Sequence, residues 1–166
     1  MATLMQLVRG TQNVLPTAMI RYMDGMNVVE SIRVTTFAGS KMKVVTSTVR
    51  ASGRHPRKPE HGDTPDQAYI VQIAFYGVDV GKTPPSPINN VGTRCSCKSY
   101  YFTFAWPNMS NGCSFGTRFK PYVRKTPLDD PRYPPKNPNN IPGLCKHILL
   151  VASTLQNSDF YKRVGP

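Results

Sequence analysis

The stretch QAYIVQIAFYGVDV, residues 67–80, contains the strongest β-strand signal in the sequence. Alternate side chains of a strand point to opposite faces of its sheet. Here both faces are largely apolar, with Tyr69, Val71, Ile73 and Phe75 on one and Ile70, Gln72, Ala74 and Tyr76 on the other. Because both faces are largely apolar, we expect this strand to be central in its sheet.

Two segments upstream also have the composition of strands. Residues 27–38, NVVESIRVTTFA, and residues 41–50, KMKVVTSTVR, are rich in Val, Ile and Thr and alternate partly with a period of two. Gly39 and Ser40 supply turn residues between them. The pattern predicts a β-hairpin from Asn27 to Arg50, so that residues 27–80 form a hairpin and the central strand. Residues 1–26 are compatible with short helical turns or strands, divided by Pro16.

The C-terminal part of the chain contains a helical pattern. In residues 145–163, CKHILLVASTLQNSDFYKR, apolar side chains recur at spacings of three and four. The face that they define, extended one residue upstream, consists of Leu144, His147, Ile148, Val151, Ala152 and Leu155. This is the one helix that the sequence predicts, and His147 lies on its inward face.

Residues 97–106, CKSYYFTFAW, predict another strand by their alternation. One face carries Ser99, Tyr101 and Thr103, and the other carries Tyr100, Phe102, Phe104 and Trp106. Together these patterns predict a single domain over residues 1–166, of the α+β class and mostly β. We expect an antiparallel sheet with hairpins, long Pro-rich loops and one C-terminal helix.

Proline and glycine separate the predicted elements, since the chain has 16 Pro and 12 Gly. Residues 51–66 predict an exposed basic loop, and the prolines of residues 81–92 predict a linker. Residues 107–143 contain many prolines and no clear periodicity. Long loops without secondary structure are uncommon in compact domains and are usually functional or disordered. We therefore expect residues 107–143 to form an extended arm that becomes ordered on contact with a partner.

The chain is strongly basic, with 21 Lys and Arg against 9 Asp and Glu and a net charge of +12. No acidic residue occurs between Gly81 and Leu128, where the basic residues are Lys82, Arg94, Lys98, Arg118, Lys120, Arg124 and Lys125. This clustering predicts a positive face with nucleic acid or an acidic protein surface as neighbour. A basic protein that is simply soluble is the alternative.

Targeting signals are not evident in the sequence. No segment approaches the roughly 20 apolar residues that a membrane-spanning helix needs. The first residues, MATLMQLVRGTQNVLP, do not have the pattern of a secretory signal peptide. We expect a protein made and kept in a reducing cytoplasm, with no membrane contact. There, the four cysteines are expected to be metal ligands or idle thiols rather than disulfides.

Two short pairs of residues carry the chemistry of a metal site. Cys95 and Cys97 share a side of the chain, and their backbones are too close for an easy mutual disulfide. Cys145 and His147 form a second pair, at the start of the predicted helix. Three sulfur atoms and one nitrogen make a ligand set that zinc accepts in tetrahedral structural sites. The sequence therefore predicts a structural zinc on Cys95, Cys97, Cys145 and His147.

The order of these pairs, C-x-C followed at a distance by C-x-H, resembles the SWIM zinc-finger family. The resemblance covers residues 94–158, with a long basic, Pro-rich insertion at 107–143. It implies an aromatic strand after the first pair and a helix opened by the second, as in PGLCKHILLVA. Adaptor or nucleic-acid-binding roles are the ones usually suggested for this family.

Other readings of the same residues stay open at this stage. The thiols could be idle with His147 a buried core residue, or they could form disulfides. Cys113, in a Gly-flanked turn, is the odd cysteine and is placed outside the site, although it could replace Cys97 or His147. His55 and His61 have no nearby cysteine and are expected to be surface residues.

No catalytic constellation is evident beside the four ligands. A catalytic zinc keeps one coordination position open for water and has a nearby general base. Neither half of the motif contains a glutamate, and there is no Gly-rich phosphate loop or nucleophile elbow. We expect the protein not to be an enzyme and to have no small-molecule substrate.

Two functions compete on these observations. The first is an architectural component of a large particle, for which the general style of the sequence suggests the virion of a tailed bacteriophage. The second is a nucleic-acid-binding or adaptor module. In both, the basic arm would contact other subunits or DNA, through residues that we predict to be Arg118, Lys120, Arg124, Lys125, Arg132 and Lys136. The aromatic anchors would be Phe115, Phe119, Tyr122 and Tyr133.

Overall fold

The computed structural model describes residues 1–22, 27–37, 39–51, 67–79, 84–123 and 135–161. Five strands form in this part of the chain: β1 (Ala2–Thr3), β2 (Asn27–Phe37), β3 (Met42–Ala51), β4 (Ala68–Tyr76) and β5 (Asn90–Cys95). They make one antiparallel sheet in the order β1-β5-β4-β3-β2. β4 is the middle strand, which confirms the prediction drawn from its two apolar faces.

Within the same described ranges, five helices accompany the sheet: α1 (Leu4–Val14), α2 (Pro16–Arg21), α3 (Lys98–Thr103), α4 (Ala105–Ser110) and α5 (Lys146–Gln156). A 3₁₀ turn, Asp159–Tyr161, follows α5. The predicted fold class is confirmed in its antiparallel sheet and its C-terminal helix. At the N-terminus, Thr3 and Gln6 form a capping box on α1, and Pro16 is the first residue of α2.

The predicted hairpin corresponds to β2 and β3. Its turn uses two residues with positive φ, Gly39 at 81° and Lys41 at 45°. The pairing shifts register between Val29 and Ser31, which places a bulge at Glu30. Beyond the bulge, Val45 of β3 lies opposite Val34 of β2 and Ile73 of β4, so these three side chains share one face of the sheet.

One face of the sheet carries the core. α5 crosses it in contact with β2, β3, β4 and β5. The buried sheet residues of this core are Val45, Val49, Tyr69, Val71, Ile73, Phe75 and Val91, and α5 contributes Ile148, Leu149, Val151, Ala152 and Leu155. The predicted inward face of the C-terminal helix is therefore the face that packs on the sheet, and His147 is buried with it.

The prediction of a strand over residues 97–106 is wrong, because α3 and α4 occupy this segment. The Cys97 sulfur accepts a hydrogen bond from the Tyr100 amide at the start of α3. Tyr100 and Phe104, four residues apart, are both fully buried. This helical spacing was present in the sequence, but the aromatic residues between the two positions also produce the period-two pattern of a strand. In consequence, a strand precedes the first ligand pair, and the aromatic strand implied by the SWIM resemblance does not follow it.

The predicted arm, residues 107–143, is in part internal structure. Its first residues belong to α4, where Asn108 is fully buried. Ser114 forms an isolated parallel bridge with Thr93 of β5, and Phe119 packs against the core. At the other end, the Asn137 side chain donates to the carbonyl groups of Thr103 and Ile141. Residues 124–134 lie outside the described part.

Candidate metal centre

The structure brings the four predicted ligands together. Cys95 is the last residue of β5 and Cys97 is the N-cap of α3, while Cys145 is the N-cap of α5 and His147 lies in its first turn. One ligand atom from each residue lies within 4.8 Å of those of the other three. Each side chain is at most 3% exposed. The four residues thus form a buried cluster that could hold a metal ion.

The spacing inside the cluster suits a tetrahedral site. The Cys95 Sγ atom lies 3.8 Å from Nδ1 of His147. A zinc ion with bonds of about 2.3 Å to sulfur and about 2.0 Å to nitrogen separates two such ligand atoms by about 3.5 Å in a tetrahedron. The observed separation is close to this value, and the ring nitrogen directed at the Cys95 sulfur is Nδ1.

Backbone amides support the first ligand pair. The Cys97 amide donates to the Cys95 sulfur at 3.5 Å, and the Tyr100 amide donates to the Cys97 sulfur at 3.3 Å. Hydrogen bonds of this kind stabilise the charged form of an acceptor, here the thiolate. Tyr100 is fixed in turn, because its hydroxyl donates to the Thr93 carbonyl at 2.7 Å. The turn between β5 and α3 is thus shaped to present two sulfur atoms on one side.

The second ligand pair is held by two polar side chains on other elements. The Asn108 amide group binds Gly143 twice, donating to its carbonyl at 2.8 Å and accepting from its N–H at 2.9 Å. The Thr11 hydroxyl accepts from the Leu144 amide at 2.6 Å. Both groups are buried. These contacts fix the backbone of residues 143–144 immediately before Cys145 enters α5.

Two glycines permit this close packing. A Cβ atom on Gly10 would lie 1.9 Å from the Pro142 carbonyl oxygen, and one on Gly143 would lie 2.6 Å from the Phe104 ring. Both distances are far below van der Waals contact. The segment that leads to Cys145 is therefore pressed against α1 and α4 at positions where only glycine fits.

The three sulfur atoms differ in their proton affinity when no metal ion neutralises them. Hydrogen bonds from Cys145 and Cys95 hold the pKa of Cys97 well below its usual range. Burial raises the pKa of Cys95 and that of Cys145 well above it. The cluster then consists of one thiolate and two thiols. A metal ion that binds all three sulfur atoms displaces two protons.

His147 has a second ring nitrogen that is left without a partner. The ring stacks on Tyr69 with centroids 4.2 Å apart. Its Nε2 atom is buried and makes no hydrogen bond to any described residue. When Nδ1 binds a metal ion, Nε2 carries the ring proton and becomes a hydrogen-bond donor. Metal-bound histidines usually donate this proton to an acceptor.

A cavity of about 160 Å³ lies beside the cluster. Its lining includes Cys97 and His147 together with four cationic residues, Arg21, Lys98, Lys136 and Lys146. Of these, only Lys136 was predicted as a contact residue from the sequence. A usable signal was present, because Lys98 and Lys146 directly follow the ligand cysteines Cys97 and Cys145.

Of the other predicted contact residues, the two that the structure describes, Arg118 and Lys120, do not line this cavity. Arg118 and Lys120 are exposed, and Arg124, Lys125 and Arg132 lie outside the described residues. The nearby Arg94 is used internally, because it donates to the Thr117 carbonyl at 3.1 Å and lies 4.7 Å above the Phe119 ring.

Of the remaining candidates for metal binding, only Cys113 lies among the described residues. Cys113 is buried but is not part of the four-residue cluster, and its thiol donates to the Asn111 carbonyl at 3.3 Å. His55 and His61 lie outside the described residues. The four ligands chosen from the sequence are thus the ones that the fold assembles.

Comparisons with protein-family models, curated proteins and solved structures return no match. The resemblance to SWIM zinc fingers therefore rests on the ligand pattern and on the helix opened by the second pair. No helix within the described ranges is long and apolar enough to cross a membrane.

Proposed function

We propose that this chain is a non-enzymatic structural protein whose fold is closed by one zinc ion. The observation that carries the proposal is the buried cluster of Cys95, Cys97, Cys145 and His147. Three sulfur atoms and one imidazole at tetrahedral spacing favour zinc, because thiolate ligands select soft or borderline metals over magnesium and calcium. We assign the cluster to a SWIM-type site with an altered element after its first pair.

The zinc ion would join parts of the chain that are far apart in sequence. Cys95 ends a strand next to the sheet centre, and Cys145 precedes the helix that covers the sheet. Apparent binding energies of structural zinc in small zinc-finger peptides are roughly 10–16 kcal/mol, and such energy counts as folding energy. A metal ion here therefore stabilises the packing of α5 on the sheet and closes the loop of residues 98–144.

A structural role fits the coordination better than a catalytic one. Four protein ligands complete the tetrahedron, whereas a catalytic zinc has three and keeps a position for water. Among the described residues that line the cavity next to the cluster, none is a carboxylate that would act as general base. Hydrolysis catalysed by the zinc ion would require the loss of one of the four ligands, so that water could bind.

Exposed apolar residues support docking onto a larger assembly. On the edge strand β2, Val28, Ile32, Val34 and Phe37 are between 39% and 50% exposed. A long apolar edge strand with unpaired backbone groups is a site where another chain can add. We propose that other subunits of a large particle, such as a bacteriophage virion, cover this edge.

A nucleic-acid-binding module is the second candidate, and one surface favours it. Tyr101, Phe102 and Tyr122 form an exposed aromatic cluster, with the Phe102 and Tyr122 rings 4.7 Å apart. The exposed cations Arg118 and Lys120 lie in the same segment as Tyr122. Aromatic faces next to cations are suited to stacking on single-stranded nucleic acid.

Elemental analysis of purified protein tests the zinc proposal. We expect one zinc ion per chain. Cys97→Ser should abolish stoichiometric zinc, whereas Cys113→Ser, a matched change at a buried cysteine outside the cluster, should retain it. Wild-type protein purified without zinc, or a Cys97→Ser variant with full zinc content, would contradict the proposal.

A further inference from the structure

The cavity beside the metal cluster is strongly cationic. Arg21, Lys98, Lys136 and Lys146 line it, and no acidic residue of the described ranges does. Thr17 and Ser99 add two hydroxyl groups to the lining. The cations come from α2, α3, α5 and the segment before Cys145, so four separate parts of the chain place positive charge around one space.

The first turn of α5 contributes further donors at the same place. α5 has 11 residues, and no side chain caps its N-terminus. The first amide groups of a helix have no partner within the helix, and its dipole places partial positive charge there. By contrast, α1 is capped by Thr3 and α3 by Cys97. Lys146 and His147, the first two residues of α5, both line the cavity.

The second and independent observation is the unpartnered Nε2 atom of His147. This side chain is 2% exposed, lines the cavity, and has Nδ1 directed at the sulfur atoms. With a metal ion on Nδ1, Nε2–H is a fixed donor that lacks an acceptor among the described residues. A buried donor without an acceptor is destabilising, so this group points to a ligand that supplies one.

We propose that this cavity binds a phosphate group, with His147 Nε2–H donating to a phosphate oxygen while Nδ1 holds the metal ion. Arg21, Lys98, Lys136 and Lys146 supply charge, and the first amides of α5 supply further donors. The proposal rests on the proposed zinc site, because the metal ion fixes the proton on Nε2. Room is sufficient, because the cavity of about 160 Å³ is roughly ten times the 10–15 Å³ that one water molecule needs, and a phosphate group has only five heavy atoms.

A competing explanation is that the cations balance the metal centre itself. Three thiolates and one Zn²⁺ carry a net charge of −1, and nearby cations would stabilise it. The two explanations differ in their consequences. If the cations balance the thiolates, their removal weakens zinc binding. If they bind phosphate, their removal weakens phosphate binding and leaves the zinc content intact.

The experiment measures phosphate binding to zinc-loaded protein at constant ionic strength. Inorganic phosphate and a single-stranded oligonucleotide are the two probes, and they separate a free anion from a nucleic-acid backbone. Arg21→Gln/Lys136→Gln removes two exposed cations from the cavity lining. Arg118→Gln/Lys120→Gln removes the same charge from exposed positions outside it. The His147 side-chain N–H resonance is followed by ¹⁵N NMR in parallel.

We expect the cavity variant, Arg21→Gln/Lys136→Gln, to bind inorganic phosphate, the oligonucleotide or both at least about tenfold more weakly than wild type does. This loss is in keeping with the removal of charge-assisted hydrogen bonds. The control variant should remain within about twofold for inorganic phosphate, and both should keep one zinc ion. The His147 Nε2–H resonance should shift with phosphate. Weakening of inorganic phosphate binding identifies a free-anion site, and weakening confined to the oligonucleotide identifies backbone phosphate.

Three results would overturn the proposal. Zinc-loaded protein that binds neither probe would do so while leaving the proposed function intact. Equal losses in the cavity and control variants with either probe would indicate diffuse attraction of anions. Loss of zinc from the cavity variant without a change in phosphate binding would show that the cations balance the thiolates. Wild-type protein purified without zinc would contradict the proposed function first, and the Nε2 assignment with it.

Discussion

The metal end and the β2 edge of the same sheet differ in how many of their polar and apolar groups find partners within the described part of the chain. The metal end comprises the four ligands with Thr11, Asn108 and Gly143, and the hydrogen bonds of the two polar side chains there are made within the chain. The β2 edge, Asn27–Phe37, instead leaves apolar side chains in solvent and one side of its backbone without a strand partner among the described residues.

The two regions therefore lead to different expectations. At the metal end, Thr11 and Asn108 make their hydrogen bonds within the chain, and His147 Nε2 has no hydrogen-bond partner among the described residues. At the β2 edge, we propose that another subunit covers the exposed apolar side chains. Changes at the metal end should therefore alter stability and zinc binding, while changes at the β2 edge should alter association and leave the isolated fold intact.

The largest effect is expected from Gly10→Ala. The new methyl group would overlap the Pro142 carbonyl oxygen, which is backbone and cannot rotate away. We expect a loss of about 3 kcal/mol in unfolding free energy, at the upper end for overpacking, and weaker zinc binding because folding and metal binding are coupled. Urea unfolding measures the loss of stability, and Gln12→Ala, on the exposed side of α1, is the control variant. Equal stability of the two variants would contradict the packing described for residues 142–144.

The pH dependence of zinc binding tests the electrostatics of the metal end. Burial raises the pKa of Cys95 and of Cys145, whereas hydrogen bonds lower that of Cys97. The two raised thiols are protonated near neutral pH, so zinc binding releases two protons there. Affinity should then fall about 100-fold for each unit that the pH falls. Calorimetry in buffers of different ionisation enthalpy counts the protons, and a count of zero would contradict the assignment.

A smaller loss is expected from Asn108→Leu. The substitution keeps the volume similar but leaves the Gly143 N–H and carbonyl without their partner. A buried backbone group without a partner costs about 1–3 kcal/mol. We expect about 2 kcal/mol of lost stability and a measurable drop in zinc affinity. Asn13→Leu, at an exposed position of α1, is the control, and equal effects of the two changes would show that Asn108 does not position the second ligand pair.

The smallest effect on stability is expected from Val34→Lys at the β2 edge. Val34 lies on the same face of the sheet as the buried Val45, but its own side chain is 46% exposed. The free energy of unfolding should therefore change by less than about 0.5 kcal/mol. Association with an assembly in about 1 M salt, where the screening length is only about 3 Å, should be lost. Thr35→Lys places the same charge on the opposite face of β2. Retained association of Val34→Lys would show that this edge is not the docking surface.

The sequence predicted those features that depend on local pattern. The hairpin, the central position of β4 and the inward face of α5 follow from the periodicity of apolar residues. The ligand pairs followed from the chemistry of cysteine and histidine at close spacing. These signals are short in range, and the structure places the corresponding residues as predicted.

Features that depend on contacts between distant segments were missed. The alternation of residues 97–106 predicted a strand, but the burial of Tyr100 and Phe104 at helical spacing determined the outcome. The clamp of Asn108 on Gly143 joins residues from opposite ends of a Pro-rich segment, for which the sequence gives no pairing signal. Likewise, the cavity is lined by cations from four parts of the chain. The sequence indicated this only through Lys98 and Lys146, which directly follow two ligand cysteines.

Equilibrium unfolding in urea, with bound zinc and after complete chelation, measures how much the metal ion stabilises the fold. If one zinc ion closes the fold, the chelated protein should lose several kcal/mol of stability, with its midpoint at much lower urea, and added zinc should restore the original curve. Identical unfolding curves with and without chelation, in protein shown to have contained one zinc ion, would contradict the claim that the metal ion holds α5 to the sheet.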